Sequence, residues 1–294
     1  MTKTDPKPRP RVAILRGPFL NSFEMQTYEL LKGEFDITAF TPHQTYFDTS
    51  GIDLPQESLW CPIAGKTPFE REKRKWQALR DRLTGRTHSF CGLRDRLEGF
   101  DLYHIMDQYF CFSYEAALAK RRHGGKLVVT QYENIPFLND HKAMERQIKR
   151  SVREQADLFL AMSGGAREVL LQEGVPEPKI EPFSGAVDTK RFCPGARDRA
   201  LARELGLTGA SFTLLYVGRL AKSKGVFTLL KAAEVLARED AGFRLLLVGK
   251  DEEGVGDWVA QRGLERCVRL AGFVAYPQMP RYYRLADAFV LPSL

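Results

Sequence analysis

No run of eighteen apolar residues occurs in the 294-residue chain, and its opening segment, MTKTDPKPRPR, lacks the apolar stretch that forms the core of a secretion signal. A bilayer-crossing helix needs about 20 mostly apolar residues. The sequence therefore reads as cytoplasmic, with residues 1–10 as a disordered basic tail. Cysteine is also scarce: Cys61, Cys91, Cys111, Cys193 and Cys267 are odd in number, widely spaced and free of any CxxC pair or histidine at ligand spacing. That pattern excludes a disulfide framework and a zinc site and leaves mostly buried, free thiols. Internal repeats and low-complexity tracts are absent too.

What is present is a globular balance of 44% hydrophobic and 28% charged residues, with a net charge of +7. The basic excess favours an anionic partner such as a nucleotide, a phospholipid surface or nucleic acid. Nucleic acid is disfavoured, because no helix-turn-helix, zinc or RNA-binding signature accompanies the charge. Much of the excess is local, with ten basic residues against five acidic ones between Lys66 and Glu98. On a helix from Phe69 to Leu83, Phe69, Trp76, Leu79 and Leu83 share a face beside a stripe of Arg71, Lys75 and Arg82. Two readings stand: peripheral contact of residues 69–83 with an anionic bilayer, or an amphipathic helix packed on its own domain.

Short β-rich runs at Val12 to Leu15, Phe35 to Phe40, Asp101 to Ile105, Leu127 to Thr130 and Asp157 to Ala161 alternate with helical segments. This alternation predicts an α/β fold with a parallel sheet covered on both faces. A second series follows the turn-rich stretch Pro194 to Gly209, with strands at Phe212 to Val217, Arg244 to Val248, Val268 to Leu270 and Ala288 to Leu291. Two domains are expected, 11–195 and 196–294. The helix from about Lys224 to Arg238 places Val226, Leu229, Leu230, Ala233 and Leu236 on one core-facing stripe. Ser163 and Gly174 read as the N-cap and C-terminal glycine of another helix.

The segment TLLYVGRLAKSKGVFTLLKAAEVL, residues 213–236, carries the chemistry: a buried strand, a glycine turn and a helix start. Such a turn aims backbone N–H groups at an anion. Gly218 admits a close ligand, Arg219 can grip two phosphate oxygens, and Lys224 adds a compact positive charge at the helix start. A hydrated basic loop is the plain alternative.

GRLAKSKG after its apolar strand resembles the donor-phosphate motif of family 4 glycosyltransferases. Residues 156–194, 243–254 and 268–293 resemble further family segments in the same order. The resemblance runs from about Arg11 to the end. It implies the GT-B architecture of two Rossmann-like domains with parallel sheets, the second incomplete. It further implies transfer of a sugar, with retention, from a nucleoside diphosphate sugar to a lipid-linked or saccharide acceptor. No cofactor or metal is implied, and no DxD triplet of the metal-dependent class occurs. In the family pattern Arg219 and Lys224 meet the leaving diphosphate, while Gly249, Phe273 and Val274 match positions that receive the nucleobase. His104 falls near the transferred sugar or the acceptor, and Glu133 is a candidate to bond sugar hydroxyls or stabilise positive charge at the anomeric carbon. Turn, core and helix-start roles stand beside these assignments.

Three positions depart from the family. Tyr132 stands where many relatives place a histidine, and Asn21 and Ser22 stand where many carry two glycines, with Glu24 matching the acid that follows. Gly17 is then the flexible point near the first strand that can approach the donor phosphates. Gly185 and Asp188 match the interdomain turn. Because the chain stops after its fourth donor-domain strand, a truncated form with impaired turnover is expected. The alternative functions are a non-catalytic nucleotide-sugar or carbohydrate binding module and a sugar-nucleotide epimerase of the same architecture.

Overall fold

The computed structural model describes residues 8–43, 45–59 and 92–293. The 69–83 segment, Cys61 and Cys91 lie outside the described residues. Two compact units divide between Ala186 and Val187, so residues 187–195 belong with the second unit.

In the first unit seven strands form one sheet in the order β3-β2-β1-β4-β5-β6-β7: β1 (Arg11–Leu15), β2 (Asp36–Pro42), β3 (Gln56–Leu59), β4 (Leu102–Met106), β5 (Lys126–Gln131), β6 (Leu158–Ala161) and β7 (Ile180–Pro182). All pairs are parallel. Five of the seven coincide with the β-rich runs of the sequence. The two sheet edges, β3 (QESL) and β7 (IEP), do not, because they are short and polar and take their extended form from a neighbouring strand. The helices are α1 (Ser22–Glu29), α2 (Leu93–Arg96), α3 (Cys111–His123), α4 (Ala143–Gln155) and α5 (Gly164–Gln172).

Strand alternation divides the core in two. Ala13, Leu15, Tyr103, Ile105, Leu127 and Val129 pack with Phe112, Ala116 and Val152 of α3 and α4. Val12, Ile14, Ile37 and Ala39 turn the other way, onto Leu20 and Met25. Ser163 caps α5 by accepting from the Ala166 N–H, and Gly174 follows with φ of 82°, as the sequence predicts.

The second unit has a four-stranded parallel sheet, order β10-β9-β8-β11: β8 (Phe212–Val217), β9 (Phe243–Val248), β10 (Val268–Gly272) and β11 (Ala288–Phe289). Its helices are α6 (Arg199–Glu204), α7 (Val226–Glu239), α8 (Val255–Gln261) and α9 (Met279–Tyr283). Val226, Leu229, Leu230 and Ala233 of α7 are buried against Tyr216, Leu245 and Leu247. Leu236, the last member of the predicted stripe, is instead 39% exposed. Leu215, Leu246 and Val248 face the other side, with Leu201 and Leu285. Of the described cysteines, all free, Cys111 and Cys267 are buried and Cys193 is exposed. No helix among the described residues is long and apolar enough to cross a membrane.

Candidate functional site

Open parallel sheets bind ligands at the carboxyl ends of their strands. In the first unit the central strands β1, β4 and β5 deliver a dense polar group to that edge. Arg16 directly follows β1 and is 2% exposed. Its Nε donates to Glu24 Oε2 at 3.2 Å and its Nη2 to Tyr28 Oη at 2.6 Å, while the buried Nη1 has no hydrogen-bond partner among the described residues. Tyr28 Oη lies 3.1 Å from His104 Nδ1, and His104 Nε2 lies 2.7 Å from Thr130 Oγ1.

The direction of this chain follows from chemistry. A guanidinium only donates, so Tyr28 Oη accepts from Arg16 and turns its own hydrogen to Nδ1. His104 then carries its proton on Nε2 and donates to Thr130. Burial, aided by the positive charge of Arg16, holds the His104 pKa well below the ordinary histidine range. Nitrogen-15 NMR of the imidazole should therefore show one neutral Nε2–H tautomer throughout the pH range around 6.5 where an unperturbed histidine titrates. Protonation within that range would contradict the arrangement.

His104 is the third of the five residues of β4, so both its nitrogens are engaged one layer below the strand end. The residue at the carboxyl edge is Asp107, with φ of 48° and 4% exposure. Its Oδ1 accepts the N–H groups of Tyr132 at 2.8 Å and Glu133 at 3.2 Å. Burial pushes its carboxyl up to about 6, opposed by those two N–H groups. The loop after β5 is thus clasped to the end of β4. Tyr132 remains 38% exposed there, with its phenol raised to about 12 chiefly by burial. Glu133 Oε1 accepts the N–H groups of Asn134 at 2.9 Å and Ile135 at 2.8 Å; these residues lead into a turn and the next helix begins only at Ala143, so the helix-start role weighed from the sequence is not the one observed.

Below this loop Lys149 and Glu173 form a buried ion pair at 2.5 Å. Glu173 also accepts from Gln108 and from the Phe137 N–H, and Lys149 donates to the Leu138 carbonyl. Gly17 has φ of 58° and packs on Phe112, where an added Cβ would sit 2.6 Å from the ring. Asn21 caps α1 through the Glu24 N–H, giving this departure from the family a local purpose. Asp188 accepts the N–H groups of Lys190 and Arg191, while a Cβ at Gly185 would meet only Met162 at an ordinary 3.6 Å.

In the second unit the loop after β8 carries Arg219 and Lys224 into α7. The helix N-cap is Gly225, which has no side chain to cap with, and the N–H groups of Val226, Phe227 and Thr228 meet no acceptor among the described residues. Arg219 Nη1 donates to Glu252 Oε2 at 3.0 Å. Lys224 is partly buried, and its ammonium makes no ion pair or side-chain hydrogen bond among the described residues. Gly218 and Gly249 meet backbone to backbone: a Cβ on Gly249 would fall 1.8 Å from the Gly218 carbonyl oxygen. Glycine at 249 is therefore required by the contact of two strand ends. Phe273, just after β10, is 74% exposed, whereas Val274 packs partly into the core.

Sequence reasoning singled out the loop cations, His104 and Glu133, and weighed Glu252 only as part of an acidic run that holds a cation or forms a solvated turn; it did not single out Arg16, Tyr28, Thr130 or Asp107. Arg16 and Asp107 had a signal, since each directly follows an apolar strand run. Tyr28 had none, being brought into place only by packing.

Comparison with known proteins bears on these features. The model described as "Glycosyltransferase Family 4" matches residues 40–191, and that described as "Glycosyl transferases group 1" matches residues 198–294. The amylovoran biosynthesis glycosyltransferase AmsK of Erwinia amylovora is 28% identical over 62% of this chain and 45% of its own length. A GDP-mannose-dependent alpha-(1-6)-phosphatidylinositol monomannoside mannosyltransferase of Mycobacterium tuberculosis is 28% identical over 50% of this chain and 39% of its own. The chain matches less than half the length of these curated relatives. Anabaena Alr3699/HepE, solved in complex with UDP-glucose, superimposes with a TM-score of 0.68 at 17% identity, over 96% of this chain and 74% of that one.

Proposed function

The chain belongs to Glycosyltransferase Family 4, and on that premise we propose that it serves transfer of a sugar, with retention, from a nucleoside diphosphate sugar to a lipid-linked or saccharide acceptor. The observation that carries this reading is the loop after β8, where a guanidinium, an ammonium with no ion pair among the described residues and a helix N-terminus with no side-chain cap lie within seven residues. Negative charge grows on the leaving diphosphate in the transition state. Fixed cations and backbone dipoles that meet the growing charge more strongly than the ground state lower the barrier. Arg219 and Lys224 take that role, and no cofactor is needed for it.

On the first unit's edge, His104 acts as a neutral positioning residue beneath the acceptor side, and Glu133 with Asp107 shapes the loop bearing Tyr132. Gly218 and Gly249 bring the two loop backbones together beneath the diphosphate, and Phe273 offers an exposed ring for a nucleobase. Gly17 shapes the β1 turn. A lipid-linked acceptor agrees with what the mycobacterial relative is named for, and with a membrane contact through residues 69–83. The fold is compatible with a binding module as well, and transfer separates the two.

The test is incubation with labelled UDP-glucose and GDP-mannose, each with lipid and oligosaccharide acceptors, alongside thermal shift with UDP, GDP and their nucleosides. Expected are a label in the acceptor fraction and a raised Tm with a diphosphate but not its nucleoside. Stabilisation without transfer would favour a binding module. Indifference to every diphosphate would overturn the donor site.

A further inference from the structure

The acidic run Asp251, Glu252, Glu253 has no part in the reading above, yet it is the segment that holds the phosphate loop. Leu220, fully buried, pairs in parallel with Asp251. Its N–H donates to the Lys250 carbonyl at 2.9 Å, and its carbonyl accepts from the Glu252 N–H at 3.3 Å. Asp251 in turn accepts the N–H groups of Val255 and Gly256 at 2.9 Å, capping α8. Glu253 Oε2 accepts the Lys222 N–H at 3.0 Å. The two loops are therefore in register, which sets the Glu252 carboxylate on Arg219.

The backbone in this clasp is fixed, but the pair it brings together is not buried. Arg219 is 58% exposed and Glu252 31%. Solvent-exposed ion pairs of this kind are weak and exchange readily. Arg219 is at the same time the residue that a donor phosphate needs, and a carboxylate and a phosphate compete for the same planar fork of N–H donors.

We propose that Glu252 is a further affinity- and specificity-determining residue of the donor site: in the empty protein its carboxylate occupies Arg219 in place of a phosphate, and a ligand engages Arg219 only by displacing it. This rests on the donor-phosphate reading of the loop. A nucleoside diphosphate can displace the carboxylate because it carries more charge and also reaches Lys224 and the α7 N-terminus, neither of which Glu252 occupies. An uncharged nucleoside leaves the pair intact. Glu252 thereby lowers affinity for every ligand whose binding depends on Arg219 and leaves affinity through the base alone unchanged.

The experiment is titration calorimetry of the wild type, Glu252→Gln and Lys224→Ala with inorganic pyrophosphate, UDP, GDP, uridine and guanosine, with Tm measured to confirm folding. Glu252→Gln should bind pyrophosphate, and whichever of UDP and GDP the wild type prefers, about three- to tenfold more tightly, with nucleoside affinity unchanged. Equal or weaker diphosphate binding by Glu252→Gln would overturn the proposal and make Glu252 a residue that orients Arg219. If Lys224→Ala weakens diphosphate binding while Glu252→Gln does not tighten it, this inference alone fails. If Lys224→Ala leaves diphosphate binding intact, or if no protein binds any charged probe, the loop is not a phosphate site and both readings fall.

Discussion

Lys224→Ala should weaken binding of the preferred nucleoside diphosphate by about 10- to 150-fold, the equivalent of one charge-assisted hydrogen bond of roughly 1.5–3 kcal/mol. The effect is expected to be large because Lys224 has no internal partner among the described residues, so its ammonium is wholly available to a ligand. Its loss also leaves no protein group unpaired. The residue sits in the short turn before α7, whose buried face of Val226, Leu229, Leu230 and Ala233 is untouched by the change, and Tm should stay within experimental error. Arg219→Ala removes a cation too, but it also frees the Glu252 carboxylate beside the site, so its effect combines lost attraction with new repulsion. Calorimetry with UDP and GDP decides the matter, and a change in affinity below twofold for Lys224→Ala would mean that the diphosphate sits elsewhere.

The second large effect concerns stability. Lys149→Met should destabilise the first unit by about 3–5 kcal/mol, as expected when one partner of a buried ion pair is removed. The Lys149 and Glu173 side chains are 2% and 0% exposed. With the ammonium gone, Glu173 keeps Gln108, the Phe137 N–H and, at 3.5 Å, the guanidinium of Arg153, but it loses the nearer and fully buried of the two positive charges that compensate its own. The damage should spread to the loop after β5, because Phe137 and Asn139 have φ of 58° and 55°. Such left-handed backbone persists only where surrounding contacts over-determine it. The Lys149 bond to the Leu138 carbonyl and the Glu173 bond to the Phe137 N–H are two of those contacts. Urea unfolding measures the loss, and a double change, Lys149→Met with Glu173→Leu, should recover part of it by removing the stranded charge. A single-variant loss under about 1 kcal/mol would show that water already screens the pair.

The loop that holds Lys224 and the network that holds Lys149 differ in how they could be read before the fold was known. The loop after β8 is a local object. Strand, glycine turn and helix follow one another within residues 213–236, so each residue's role depends on close neighbours in the chain, and GRLAKSKG could be recognised directly. The Lys149 network joins residues 108, 137, 149 and 173, and nothing in their spacing predicts that they meet. The same contrast separates the central strands from the edges. Val12 to Leu15 or Leu127 to Thr130 announce themselves by apolar content, because a strand covered on both faces must be apolar throughout. The polar edge strands Gln56–Leu59 and Ile180–Pro182 do not.

His104 shows the limit within a single residue. Its place on β4 followed from the apolar run around it, but its protonation state did not. That state depends on Tyr28 arriving from α1 with a hydrogen to give, which in turn depends on Arg16 occupying the phenol's lone pair. Gly249 is similar: a nucleobase position by family pattern, its glycine is required by the Gly218 carbonyl of the neighbouring strand end.

From its own order of residues, then, this chain determined the alternation of strand and helix, the parallel sheets and the cationic turn before α7, because each depends on periodicity or on groups a few positions apart. Tertiary structure alone decided which residues share the polar edge at Arg16 and Asp107, which proton His104 carries, and that Glu252 lies on Arg219. Those outcomes depend on directional hydrogen bonds and charge pairs between residues far apart in sequence, and such bonds exist only once burial has brought their partners within about 3 Å.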